Sequence, residues 1–314
     1  MWTGPRVVSA TISYESIKEI TLILRRKPLI WDNIHANDYD RRRVYIGPYC
    51  GRHSALVGFT RGVMTNPNCE ADANFVACHT LSMWRHTNRC RTVPPLSAPV
   101  VPSPPDKFDE DAEDDRHEHE HGGHGDYCPR RALEIALSDW LPCFASNQLT
   151  MEDLRLLAHL YYLPYEYGAE AIRLFSHVNY CLDRATTTEP DHAEWRRRFD
   201  ELRALRQRID VLTDRLVLCI NQSPASIFAP LLADLSNVFN VLIAYLSFVR
   251  QFARLLVDDD MDINNRLDPK QEKITSEDKD LIDAESQMQI LHSVTSRILL
   301  NLPKKISNCS ISQR

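Results

Sequence analysis

The sequence predicts an α/β region over residues 1–90 followed by an all-α region, and three observations carry that reading. Short apolar runs alternate with stretches of helical spacing over the first 90 residues, the rhythm of a parallel α/β architecture. A break in composition then separates this part from the rest. Beyond the break, apolar residues recur at steps of three and four for more than a hundred residues, the period of amphipathic helices.

Residues 1–8 are expected as a strand entering a Gly4-Pro5 turn, and residues 14–26 as a helix with Ile17, Ile20 and Leu24 on one face. Residues 29–31 form the next strand, and Val63 and Met64 end a third. Residues 70–84 read as a helix burying Ala73, Ala77, Leu81 and Trp84. This is too little to close a (β/α)8 barrel, which takes about 250 residues.

Residues 91–127 hold six prolines and then, over 106–126, ten acidic residues against Lys107 and Arg116, with His117, His119, His121 and His124 among them. Such a segment buries too little apolar surface to offset its ordering entropy and reads as a linker. The histidines could ligate a metal, but nothing in the sequence fixes a geometry, so no metal site or cofactor is expected.

The helical region is placed at 128–257. Pro129 suits the first turn of a helix burying Leu133, Leu137 and Trp140. Thr150 with Asp153 resembles a capping box ahead of Leu154, Leu157 and Leu160. Phe199, Leu202, Leu205, Ile209, Leu212 and Leu216 mark one long helix, and residues 231–257 another. That last helix is apolar beyond a single stripe, which predicts a homodimer, with Leu242 and Val249 among its contacts. Residues 258–314 are expected as a polar tail with one helix over 280–300.

The formal net charge is −6, and removing the acidic run leaves the remainder close to neutral, so no basic surface for nucleic acid is implied. Nine cysteines without a CxxC pair read as reduced thiols of a cytoplasmic and nuclear protein. No secretory signal is expected at the start of the chain. The longest uncharged apolar stretch, residues 235–249, falls short of the roughly 20 residues of a spanning helix, so no membrane is expected either.

Function is most legible at WDNIHANDYD, residues 31–40, where an apolar run ends in two aromatics, two amides and three carboxylates. Residues 62–70, GVMTNPNCE, repeat the pattern. Strands that end in such residues open into active sites, and carboxylates with amides suit a polyhydroxylated ligand. Turn capping is the alternative for Asp38 and Asn66, and plain core for Trp31.

The runs MWTGPRVVS, PLIWDNIHANDYD, IGPYCGR and GVMTNPNCEADANFVACHTL closely resemble glycoside hydrolase family 84, and LTMEDLRLLAHLYYLPYEYG resembles the opening of that family's helical stalk. The resemblance implies a C-terminal fragment of a (β/α)8 barrel followed by a stalk that forms a homodimer. It implies a β-N-acetylglucosaminidase that removes O-linked N-acetylglucosamine from Ser and Thr of proteins. In the substrate-assisted, retaining route the sugar's acetamide oxygen attacks the anomeric carbon. The family's two consecutive catalytic aspartates have no counterpart on a strand here. Asp114-Asp115 and residues 258–260 lack the burial that raises a carboxyl pKa, so the fragment alone is expected to be inactive.

Substrate-binding positions do carry over. Asp38 resembles the aspartate that accepts from the sugar's O4 and O6 hydroxyls, and Asn66 the asparagine that completes that clamp. Asn33 resembles the amide facing the reacting centre, Trp31 an aromatic wall of the acetamido pocket, and Tyr39 a residue on the aglycone side. His35 is expected to be structural. The rival expectation is a non-enzymatic helical dimerisation protein that retains a vestigial barrel fragment.

Overall fold

The computed structural model describes residues 1–40, 42–87, 127–185 and 192–266, which fall into two compact units. The linker's histidines and Asp114-Asp115, and the helix expected over 280–300, lie outside the described residues. One unit comprises Met1–Trp140 with Tyr161–Leu163, the other Leu141–Leu160 with the chain from Pro164 onward.

In the first unit, α1 (Tyr14–Leu24) is started by Ser13, whose hydroxyl accepts from the Ser16 N–H at 3.2 Å, and ended by Arg25 in the left-handed region. Strands β1 (Leu29–Asp32) and β2 (Gly62–Thr65) pair in parallel, with Leu29 opposite Gly62 and Asp32 opposite Thr65. The strand expected over residues 1–8 reduces to one parallel bridge from Trp2 to Ile30. Gly4, at φ +97°, turns the chain away there, and the next carbonyls are taken by side chains. α2 (Phe75–Thr87) begins later than expected because residues Ala71–Asn74 form a tighter 3-10 turn. Of its expected core, Ala73, Ala77 and Trp84 are buried and Leu81 is half-buried.

α3 (Pro129–Trp140) opens at Pro129 and buries Leu133, Leu137 and Trp140, as the spacing predicts. It belongs to the first unit, whereas the sequence places it with the helical region. Trp140 stacks on Phe75 of α2 at 6.0 Å, and the Tyr127 hydroxyl donates to the Tyr49 carbonyl at 2.6 Å. Ile12, Ile17, Ile30, Ile34, Tyr49, Leu56, Trp84 and Leu163 form the core. On α1 only Ile17 of its expected face is buried, while Leu22 and Ile23 face solvent.

The second unit contains α4 (Met151–Leu160), α5 (Ala169–Asp183), α6 (His192–Val217) and α7 (Gln222–Arg266). The capping box forms: the Thr150 N–H donates to Asp153 Oδ2 at 2.9 Å, and the Asp153 N–H donates to Thr150 Oγ1 at 3.2 Å. Arg215 adds a bond to the same carboxylate at 2.7 Å. Leu202, Leu205, Ile209, Leu212 and Leu216 of α6 are buried, as are Phe228, Leu232, Phe239, Leu246 and Val249 of α7.

α7 departs from expectation at both ends. It runs through Pro230, which is exposed, and continues past the aspartates at 258–260, which therefore lie inside a helix. Aspartate lowers helix propensity by only a few tenths of a kcal/mol, too little to stop a helix this long. Leu242 and Val249 are buried within the unit, so they do not form an outer contact face. The stretch Gln222–Gln251 is long and apolar enough, by length and composition, to cross a membrane. The uncharged run 235–249 is shorter than this stretch because Asp234 and Arg250 bound it, and two charges with several small polar residues do not make a helix polar overall.

Candidate functional site

β1 and β2 end side by side, and the residues just past them gather into one cluster. Trp31 Nε1 donates to Asn33 Oδ1 at 3.0 Å, and Asn66 Nδ2 donates to the same oxygen at 3.1 Å. Asn33 Nδ2 donates to the Val7 carbonyl at 2.6 Å. Asn33 is buried, while Trp31 and Asn66 are half-buried and keep surface open to a ligand. The Asn66 N–H donates to the Asp32 carbonyl at 2.8 Å, extending the ladder by one residue and fixing Asn66 beside Asn33.

Asp38 takes no part in this cluster. It is exposed on a turn whose preceding residue, Asn37, is anchored on three sides. Asn37 Nδ2 donates to the Arg43 carbonyl and to Glu70 Oε2, both at 2.7 Å, and Asn37 Oδ1 accepts from the Cys69 N–H at 2.7 Å. The Asp38 backbone is therefore held while its carboxylate meets solvent. Tyr39 is half-exposed, with its hydroxyl 2.8 Å from that of Tyr45. The structure thus brings together Trp31, Asn33 and Asn66 and places Asp38 and Tyr39 on a neighbouring turn.

A buried charge pair beneath the cluster is not legible in the sequence. Asp32 and Arg52 have no exposed side-chain surface, and the guanidinium fork meets both carboxylate oxygens at 2.7 Å. The Tyr49 hydroxyl donates to Asp32 Oδ2 at 2.8 Å, and the Ile34 N–H to Oδ1 at 3.2 Å. Arg52 also donates to the carbonyls of Ser9 and Ala10 at 2.7 Å each. It thereby ties the end of β1 to the loop whose Val7 carbonyl holds Asn33. Gly51, at φ +70°, brings Arg52 in: a β-carbon there would lie 2.1 Å from the Ala10 carbonyl oxygen. Burial opposes the Arg52 charge, but Asp32 outweighs it and raises the pKa, while burial and the Asp32 charge push the Tyr49 hydroxyl well above its usual value.

His35, expected to be structural, is buried. Its Nε2 lies 2.9 Å from the Gly47 carbonyl, so that nitrogen carries the proton, and Nδ1 has no partner. Burial lowers its pKa to about 4, against the opposing bond to Gly47. The unfolded imidazole takes a proton near pH 6.5, whereas the folded one refuses it until about pH 4. Stability is therefore complete above pH 6.5 and is lost as pH falls toward 4, by about 3 kcal/mol. His35→Gln, which keeps a donor for Gly47, is expected to flatten that pH slope in urea unfolding at pH 7 and 4.5. Equal slopes for the two proteins would rule this out.

Among the described residues no group of three His, Cys, Asp or Glu side chains is placed to hold a metal, and the cysteines described are free thiols.

With this geometry in place, comparison with known proteins gives a consistent answer. Residues 1–93 match the family described as NAGidase, beta-N-acetylglucosaminidase. Over 148 residues, 46% of the chain, the sequence is 45% identical to Protein O-GlcNAcase of Rattus norvegicus, and equally to that of Mus musculus. Those residues make up 16% of each relative, so the chain spans a small part of the curated relatives it matches. Two solved structures share the fold at a TM-score of 0.53. The protein named CpGH84B is 15% identical, with 83% of this chain and 38% of that one covered. An O-GlcNAc hydrolase of Thermobaculum terrenum is 16% identical, with 84% and 50% covered. The resemblance to glycoside hydrolase family 84 that the motifs carry is thereby shown.

Proposed function

We propose that this chain is part of an O-GlcNAcase-like β-N-acetylglucosaminidase acting on proteins that carry O-linked N-acetylglucosamine in the cytoplasm and nucleus. The observation that carries the proposal is the joining of Trp31, Asn33 and Asn66 at the ends of two parallel strands. In this reading β1 and β2 are late strands of a (β/α)8 barrel, and the helices of the second unit form a stalk that pairs with a second copy.

The chemistry follows from the groups available. Trp31 offers an apolar face to the sugar's C–H surface, and the bond from its indole N–H to Asn33 fixes how that face is presented. Asn33 faces the reacting centre, its orientation set by Val7, Trp31 and Asn66. Asn66 and the solvent-facing carboxylate of Asp38 accept from the sugar hydroxyls, and Tyr39 lines the side where the modified peptide lies. The acetamide of the substrate supplies the nucleophile, so the catalytic acid and base come from an upstream part of the longer protein.

The test joins this chain to the part of the rat protein that precedes the matched stretch. The fusion is expected to hydrolyse a fluorogenic N-acetylglucosaminide, and the 314-residue chain alone to show no turnover above its own Asp38→Ala variant. In the fusion, Asp38→Ala is expected to lower kcat/KM about ten- to hundredfold, since charge-assisted hydrogen bonds contribute roughly 1.5–3 kcal/mol. Asn66→Ala is expected to act in the same direction. Unchanged kinetics in both variants would show that these residues do not bind the sugar. An inactive fusion that folds would favour the rival, a non-enzymatic dimerisation protein.

A further inference from the structure

Two buried asparagines hold the loop after β1, each at a different place. Asn37, just before Asp38, is pinned through its side-chain amide to the Arg43 carbonyl, to Glu70 and to the Cys69 N–H. Asn68 grips the same loop further along. Its Oδ1 accepts from the Tyr45 N–H at 2.8 Å and its Nδ2 donates to the Tyr45 carbonyl at 3.0 Å, so one side chain takes both backbone groups, as a paired strand residue would. Asn68 is fixed in turn by Asn74, at the end of the 3-10 turn before α2. The Asn68 N–H donates to Asn74 Oδ1 at 2.8 Å, and Asn74 Nδ2 donates to the Asn68 carbonyl at 2.9 Å. Tyr45 is thus locked to the start of α2, and its hydroxyl stands 2.8 Å from that of Tyr39.

A side chain that meets a ligand binds it better when it is already held in the bound orientation, because its ordering is then not charged to binding. Tyr39 is 48% exposed and sits on a turn, where its ring would otherwise be free to swing. We propose that Tyr45 is a positioning residue for the aglycone side of the site, acting through Tyr39, and that Asn37 is its counterpart for the sugar side, acting through Asp38. This rests on the function proposed above. Tyr45 is 4% exposed, so it reaches a substrate peptide only by way of Tyr39. The two brackets use different atoms, so either can be removed while the other stands. Tyr45 therefore sets the preference for a glycosylated peptide over a small aglycone, whereas Asn37 serves every substrate that carries the sugar.

The test uses the single-chain fusion with two substrates, the fluorogenic N-acetylglucosaminide and a peptide bearing one O-linked N-acetylglucosamine on Ser. Tyr45→Phe deletes one oxygen atom and keeps the buried ring. It is expected to raise KM for the glycopeptide about three- to tenfold, the worth of one net hydrogen bond, and to leave kcat/KM for the small substrate within about twofold. Tyr39→Phe is expected to raise the glycopeptide KM as well, and adding Tyr45→Phe to it to change nothing further, because the shared bond is already gone. Asn37→Asp sets a carboxylate against Glu70 and is expected to lower kcat/KM for both substrates about tenfold, with no further loss in an Asp38→Ala background. Equal losses on both substrates for Tyr45→Phe, or additive losses in the Tyr39→Phe background, would show a structural role alone and overturn the proposal. Additive losses for Asn37→Asp and Asp38→Ala would overturn its sugar-side half. An active fusion indifferent to Tyr45→Phe removes the positioning role and leaves the glycosidase reading intact, whereas a folded fusion inactive on both substrates removes both.

Discussion

Arg52→Ala is expected to destabilise the first unit by about 3–5 kcal/mol, the usual cost of removing one partner from a buried ion pair. The loss is this large because of what remains. Asp32 would keep a charge with no solvent contact, one bond to Tyr49 and one to a backbone N–H. The carbonyls of Ser9 and Ala10 would lose their donor as well. Whole-domain stability is typically about 5–15 kcal/mol, so a large part of it rests on this residue. Arg52→Lys keeps the charge but not the planar fork, and an intermediate loss is expected. Urea unfolding followed by tryptophan fluorescence measures both variants. A loss under about 1 kcal/mol for Arg52→Ala would show that the pair is not what holds the end of β1 to the loop at residues 7–10.

That pair marks the boundary of what the sequence makes legible. Short apolar runs find the two strands, at residues 29–31 and 63–64, and local spacing finds the capping box, which is a contact across three residues. Local composition likewise brings Trp31, Asn33 and Asn66 forward, since each follows directly on an apolar run. The partnership of Asp32 with Arg52 spans 20 residues with no repeating pattern between them, and the role of Asn37 depends on its bonds to Glu70 and Cys69 after β2. One clue was available. A carboxylate two residues after the buried Ile30 on the same strand needs a cation if it is buried, but Arg25, Arg26, Lys27, Arg41, Arg42 and Arg43 all stand closer to it in the chain than Arg52 does, so sequence alone does not single out the partner. The sequence overcounted where apolar residues serve a surface that this unit does not itself cover, as on α1, whose Leu22 and Ile23 satisfy the helical pattern yet face solvent.

The same distinction shapes the expectation for α7. Its buried stripe, including Phe239, Leu242, Leu246 and Val249, is covered within its own unit. A second stripe is not: Leu231 and Val238 are half-buried, and Val241 and Phe248 are 56% and 51% exposed. Those four positions are separated by seven, three and seven residues, so they share one face. Only 28% of the helix's most apolar window is buried, which leaves this face for another molecule to cover. A two-fold pairing of second copies brings each stripe onto its twin and removes both from water. Val241→Glu with Phe248→Glu would place four carboxylates in that interface. With roughly half of each side chain's burial gained on pairing, the loss is about 3–6 kcal/mol, or 10²–10⁴-fold in the dissociation constant. The unmodified 314-residue chain is expected to sediment as a dimer at micromolar concentration, and the double variant as a folded monomer, since both side chains are more than half exposed. A monomeric unmodified chain, or a dimer that survives both substitutions, would rule this face out. Flotation of the unmodified chain with phosphatidylcholine vesicles, lost in the double variant, would assign the face to lipid instead.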